Sequence, residues 1–125
     1  MLNRVMLIGR LGRDPEIRNV PDGTLVANFS LATDRHWRDE LGEKHTETEW
    51  HNIVAWGRLA EIVAEYMKKG RLVYIEGRLQ THAWKKGDVK HHRTEVVAEQ
   101  AWLLEWKNET EETTPHEMPT EDLPL

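Results

Sequence analysis

The chain has 125 residues, a formal charge of −5, no cysteine, and six tryptophans against a single phenylalanine. That length suits one domain with one core and a short tail, and the lack of cysteine excludes disulfides, thiolate metal sites and cysteine nucleophiles. The longest apolar runs, such as Val5-Met6-Leu7-Ile8, fall far short of the roughly 18 residues of a membrane span and are too short for a secretory leader, which predicts a cytoplasmic protein. The charge is unevenly placed. Glu109, Glu111, Glu112, Glu117, Glu121 and Asp122 contribute −6 with no Lys or Arg among residues 108–125, which leaves +1 on the rest. A near-neutral domain with an acidic tail can still hold a polyanion where its basic groups cluster.

Residues 3–11 are rich in Val, Leu, Ile and Met and stop at Gly12-Arg13-Asp14-Pro15, which predicts a first strand and a turn, with Arg4 and Arg10 on one face. Residues 16–20 continue extended to Pro21-Asp22-Gly23, a turn signal because Pro presets φ and Gly accepts a positive one. A second strand follows over 24–33. Leu25, Ala27, Phe29 and Leu31 make its apolar face, with Val26, Asn28, Ser30 and Ala32 on the other. Residues 34–45 are polar without periodicity and read as a flexible hairpin loop holding Trp37.

Residues 49–56 form a third strand, with Trp50, Asn52, Val54 and Trp56 on one face and His51, Ile53 and Ala55 on the other. At about 3.3 Å per residue the two indoles stand roughly 20 Å apart on the same side, room for nucleobases between two stacking platforms. A surplus of Trp over Phe suits half-exposed surfaces better than a dense interior.

Leu59, Ile62, Val63, Tyr66 and Met67 give the stripe of an amphipathic helix over 58–69, with Lys68 and Lys69 at the negative end of its dipole and Gly70 as a left-handed cap. A fourth strand over 71–84 places Val73, Ile75, Gly77 and Leu79 opposite Tyr74, Glu76, Arg78, Gln80, His82 and Trp84. Lys85-Lys86-Gly87-Asp88 reads as a tight basic turn, and 91–104 as the fifth strand. Five strands with one helix between the third and fourth is the order of an OB-fold, a Greek-key β-barrel whose exposed face often binds oligonucleotides. The all-β barrel spans residues 1–106. Residues 107–125, rich in Glu, Thr and Pro, should be a disordered acidic tail.

No active site assembles. Ser30 is the only serine and lacks nucleophile-elbow glycines, and there is no phosphate-cradling loop. The seven histidines show no zinc-type spacing, so no metal, no cofactor and no enzymatic activity are expected. Arg4, Arg10, Arg58, Lys68, Lys69, Arg71, Arg78, Lys85 and Lys86 are the phosphate-contact candidates to accompany the stacking tryptophans. Any one of them alone is an ordinary solvated charge.

The chain closely resembles the bacterial single-stranded DNA-binding protein (SSB) family. The resemblance lies in Asn3-Arg4-Val5 with Gly9, residues 11–16 (Leu-Gly-Arg-Asp-Pro-Glu), Val26-Ala27-Asn28-Phe29, Leu31-Ala32-Thr33, Trp37-Arg38-Asp39 and Thr48-Glu49-Trp50-His51. It continues through Gly57-Arg58-Leu59-Ala60-Glu61, Lys69-Gly70, residues 73–77 (Val-Tyr-Ile-Glu-Gly) and Thr94-Glu95-Val96-Val97. It implies single-stranded DNA as partner in replication, recombination and repair, base stacking by Trp37, Trp50, Trp56 and Trp84, a nucleoid-associated location, and a homotetramer with His51 and Tyr74 at subunit interfaces. Trp102 and Trp106, beyond the best-matching stretch, are read as packing or oligomer contacts.

Two departures stand out. The family's long Gly- and Gln-rich linker is almost absent, and its acidic tip, which usually ends in Pro-Phe, appears as Glu121-Asp122-Leu123-Pro124-Leu125, where replication and repair proteins would dock. Gln80-Thr81-His82-Ala83 stands where the family is often basic. An OB-fold scaffold for repair proteins, with DNA secondary, is the alternative function.

Overall fold

The computed structural model describes residues 1–105, in the order β1 (Val5–Leu11), β2 (Glu16–Asn19), β3 (Leu25–Arg38), β4 (Lys44–Trp56), α1 (Arg58–Tyr66), β5 (Leu72–Lys86) and β6 (Val89–Leu103). The strands run β1-β5-β6-β4-β3, and β1 returns to pair with β3 through Arg10↔Ala32 and Leu11↔Leu31, closing a five-stranded barrel. The expected OB-fold barrel with one helix is therefore present. β2, expected only as an extended segment, is a sixth strand laid along the first residues of β3.

Alternation builds the core. Ala27, Phe29, Leu31, Ile53, Ala55, Val73 and Ile75 point inward and are buried. At two points glycine lets strands approach: a Cβ on Gly9 would meet the Ala32 carbonyl oxygen at 2.2 Å, and one on Gly77 the Val97 carbonyl oxygen at 2.0 Å. The second point adjoins a register slip, since Glu76 pairs with Gln100 but Gly77 with Ala98, leaving Glu99 as the extra residue of a bulge.

The helix buries Ala60, Val63 and the following Met67 against the barrel. It is shorter than the 58–69 expected. Met67 turns extended and sends its side chain into the core, so Lys68 and Lys69 lie past the helix and Gly70 is not its cap. Gly70, with φ 84, belongs to the next turn, and its N–H donates to the Leu11 carbonyl. The Lys69 N–H donates to Asp14 Oδ1, so the turn after β1 and the segment after α1 brace each other.

The largest difference from expectation lies in residues 34–45, which are not a loop. β3 and β4 stay paired from Asp34↔Thr48 to Arg38↔Lys44, and only residues 39–43 turn. This arm stands off the barrel with polar groups on both faces, held by cross-strand contacts such as Thr48 Oγ1 donating to Asp34 Oδ1 and His36 Nδ1 at 3.0 Å from Thr46 Oγ1. A second arm is formed by β5 and β6, and its turn is Gly87-Asp88 alone, with Lys85 and Lys86 inside β5. Gly87 has φ 65 and, among the described residues, no non-glycine residue has a positive φ, which matches a type II′ hairpin turn. Among the described residues no helix is long and apolar enough to cross a membrane.

Candidate nucleic-acid interface

With Ile53 and Ala55 inside the barrel, β4 must present Trp50, Asn52, Val54 and Trp56 outward. Val54 is buried there in a small outer cluster with Val26 and Val97. Val97 pairs with Val54 on one side and Arg78 on the other, so the outer face runs from β4 across β6 to β5. Continuing up the second arm in register, it carries His82 opposite Arg93 and Trp84 opposite His91. Trp50, Trp56 and Trp84 are about half exposed, at 57, 48 and 47%. Flat rings left accessible on one continuous face are what sequence-tolerant stacking requires.

Between these rings lies a polar hollow of about 150 Å³ lined by Arg13, Glu16, Asn28, Ser30, Asn52 and Arg93. Arg13 and Arg93 come from opposite ends of the chain, and neither was a candidate from sequence. The parallel contact of β4 with β6 brings Arg93 there, and no local pattern reveals it. A wider hollow beside Trp50 is bounded by Ile8, Arg10, Ala32, Asp34, Thr48 and Leu72, among others.

Trp37 stands apart. It shares its side of β3 with Phe29 and Leu31, the face opposite to Trp50 and Trp56, and it stacks on His45 at 5.4 Å with the Arg35 guanidinium 4.5 Å from its ring centroid. The four sequence-derived platforms thus divide three to one.

The basic candidates also divide. Arg78 and Lys86 share the face of Trp84, while Lys85 points to the other side of the same arm. Arg78 has Glu99 at 4.0 Å, long enough to release it to a phosphate. Arg10 donates to Glu105 Oε1 at 2.6 Å and to the Gly70 carbonyl at 2.9 Å, and Arg4 is paired with Glu76. Arg58 lies 3.9 Å from Glu61, in a separate hollow with Asn19 and Thr24. Lys68, Lys69 and Arg71 cluster in the segment between α1 and β5.

Tyr74 and His51 are not neighbours on one surface. Half-buried Tyr74 faces outward between exposed Ile8 on β1 and exposed Trp102 on β6, and with Met6 these residues form an apolar strip. The Tyr74 hydroxyl donates to Glu76 Oε1 at 2.6 Å, which orients the carboxylate that pairs with Arg4. His51 lies on the barrel side of β4, its Nε2 2.9 Å from Thr33 Oγ1. Trp106 and the tip Glu121, Asp122, Leu123, Pro124 and Leu125 lie outside the described residues.

At the turn of the first arm, Asp39, Glu43 and His45 bring ligand-type atoms within 4.8 Å of one another. Asp39 is already engaged there. Its Oδ1 accepts the N–H groups of Leu41 and Glu43, and its Oδ2 lies 2.8 Å from His45 Nε2. The bond to His45, then the Glu43 N–H, hold the Asp39 carboxyl below the usual carboxylate range.

These features define an OB barrel with an aromatic and basic outer face extended by two hairpin arms. The chain belongs to the single-strand binding protein family, whose model matches residues 2–104. It is 46% identical over 117 residues to a single-stranded DNA-binding protein of Neisseria meningitidis serogroup A, covering 93% of this chain and 67% of the relative. It is 54% identical over 106 residues to single-stranded DNA-binding protein 1 of Chlorobaculum tepidum, covering 82% and 65%. The chain therefore spans about two thirds of the length of these relatives. In structure it resembles the Plasmodium falciparum SSB in complex with ssDNA, with TM-score 0.78, 37% identity, and 84 and 96% of the two chains covered. A deletion mutant of the Thermus aquaticus single-stranded DNA-binding protein gives TM-score 0.74, 35% identity, and 83 and 51% coverage.

Proposed function

We propose that this chain binds and protects single-stranded DNA during replication, recombination and repair, without reading sequence. The observation that carries this is the continuous outer face holding Trp50, Trp56 and Trp84 with Arg93, Arg78 and Arg13 beside them. Every base has a π-face, so indole platforms accept any base, while guanidinium and ammonium groups along the track meet phosphates. Trp37, on the other face of its arm, serves a strand that wraps around the ribbon. The Plasmodium relative, similar through most of its length, is itself an ssDNA complex.

The protein acts as a homotetramer in the cytoplasm, associated with the nucleoid. Support for assembly is the strip of exposed Met6, Ile8 and Trp102 around half-buried Tyr74, which is apolar surface in need of cover. The tip Glu121-Asp122-Leu123-Pro124-Leu125 recruits replication and repair proteins. No catalytic step and no cofactor enter this role.

The test is quenching of tryptophan emission by oligo-dT, repeated over a range of salt. Binding should saturate, and log K should fall linearly with log salt at about −0.7 per phosphate contact. Emission unmoved by oligo-dT would defeat the reading and leave an OB-fold scaffold for proteins in its place.

A further inference from the structure

The two arms share a construction that the function above does not use. On each, a tryptophan and a histidine face one another across the strands with rings stacked: Trp37 with His45 at 5.4 Å and 21°, and Trp84 with His91 at 5.5 Å and 19°. Their surroundings differ in charge. His45 Nε2 lies 2.8 Å from Asp39, with Glu43 close by, Glu47 further along the same face and Arg35 over the stacked indole. The face around His91 instead carries Lys86 and His82 from β5 and Arg93 from β6. His82 is itself 2.8 Å from Glu95. Among the described residues, the His91 imidazole has no hydrogen-bond or ion-pair partner.

We propose that His91 is a proton-linked contact for single-stranded DNA: it holds the Trp84 indole with one face open to a base, and it takes up a proton when the strand's phosphates arrive. The inference rests on the ssDNA reading above. Lys86 and Arg93 flank His91 on this face, so a phosphate chain drawn to them comes to lie beside the imidazole. The negative charge of that chain favours the charged form of a ring beside it. If the strand raises the affinity of His91 for a proton, then a proton raises its affinity for the strand by the same factor, since coupling is reciprocal. His45 is the internal comparison. Asp39 already lies 2.8 Å from its Nε2, so a phosphate has no open place beside that nitrogen.

The experiment measures oligo-dT affinity of the full chain at pH 8 and at pH 5.5, a range across which imidazoles change charge. Affinity should rise about fivefold to tenfold on acidification, and the slope of log K against log salt should steepen by about 0.7, one further phosphate contact. The imidazole signal of His91, followed by NMR, should titrate at higher pH with oligo-dT bound than without it. His91→Phe keeps an aromatic ring against Trp84 without a proton, and it should lose both the rise and the added slope. His45→Phe should keep both. At pH 8 His91→Phe should bind more tightly than His91→Gln, because only the first still holds the indole. An equal rise in His91→Phe and the natural chain, or no rise in the natural chain, overturns the proposal and leaves ssDNA binding intact. Absence of oligo-dT binding at every pH sinks the functional reading, and this one with it.

Discussion

The Trp50 indole lies directly over Gly12, so that a Cβ on Gly12 would stand 2.5 Å from the indole Cζ3 and 2.9 Å from its Cη2. Gly12, just past β1, therefore sets where the Trp50 ring on β4 can rest. Gly12→Ala should push the ring aside. Trp50 is more than half exposed and can swing into solvent, so stability should change by less than about 0.5 kcal/mol, the range of surface substitutions. Oligo-dT affinity should instead fall by about 1 kcal/mol, against about 1 to 3 kcal/mol for Trp50→Ala. Equal affinity of Gly12→Ala and the natural chain would show that bases do not use the ring in this position.

Gly9 and Gly77 answer differently because what a side chain would strike there is backbone. A Cβ at either position would run into a carbonyl oxygen of a paired strand, Ala32 or Val97, which cannot move without parting the barrel. Gly9→Ala and Gly77→Ala should each cost about 3 kcal/mol, the upper end of overpacking, read as a lowered urea midpoint. A loss below about 1 kcal/mol would mean that the strands separate more easily than this packing allows.

The barrel was legible in the sequence because one face of each strand is buried, and burial writes a period of two. Leu25-Ala27-Phe29-Leu31 and Ile53-Ala55 lie in the core as the alternation indicated. The first arm was not legible for the same reason. Between Asp34 and His45 neither face is buried, so its pairing rests on contacts such as Thr48 with Asp34, which leave no hydrophobic pattern. Arg13 and Arg93 escaped because nothing local announces the β4–β6 contact. The stack of Trp84 on His91 was within reach: a two-residue turn at Gly87-Asp88 pairs Lys86 with Val89 and, counting back, Trp84 with His91. With Lys85 and Lys86 counted in the turn and not in β5, that register is hidden.

The apolar strip on β1, β5 and β6 should govern assembly. Ile8, Tyr74 and Trp102 lie in register across three strands, and Ile8 and Trp102 are exposed in the single chain. Ile8→Glu would place a charge at the centre of any interface formed there, while in a monomer it stays solvated. Sedimentation should show the natural chain as a tetramer at micromolar concentration and Ile8→Glu as smaller species with an intact barrel. A tetramer that survives Ile8→Glu would move the subunit contact elsewhere, with the surroundings of His51 next to be tested.

The turn of the first arm should loosen in acid. The Asp39 carboxyl is depressed in the folded chain, first by His45 and then by the Glu43 N–H, with burial opposing. A depressed carboxylate adds stability above its unfolded value, here 3.8, and that contribution is lost as pH falls below this through the folded value. Amide exchange at Glu43 and Leu41 should therefore be slow at pH 5 and gain an acid-dependent opening below about pH 4. Asp39→Asn keeps an oxygen for the two N–H groups but loses the charge facing His45, so the acid-dependent step should vanish. The same step in Asp39→Asn would assign it to another carboxylate.

The acidic tail brings two opposed effects. Six acidic groups without a basic one add no affinity for a polyanion, and they should compete weakly with DNA for the domain's own basic face. Residues 121–125 differ in kind, since Leu123 and Leu125 put two apolar side chains just after Glu121 and Asp122. A partner pocket with one apolar hole and a rim of Lys or Arg can hold Leu125 and the carboxylates of Glu121 and Asp122 together. Leu is smaller than the Phe usual at this end and cannot stack, so partner affinity should be lower than for a tip ending in Phe. A chain ending at Thr120 should keep its oligo-dT affinity or gain slightly, most visibly at low salt, and should lose capture of replication and repair proteins. Leu125→Phe in the full chain should strengthen that capture. Capture unchanged in both variants would show that the partners read the barrel and not the tip.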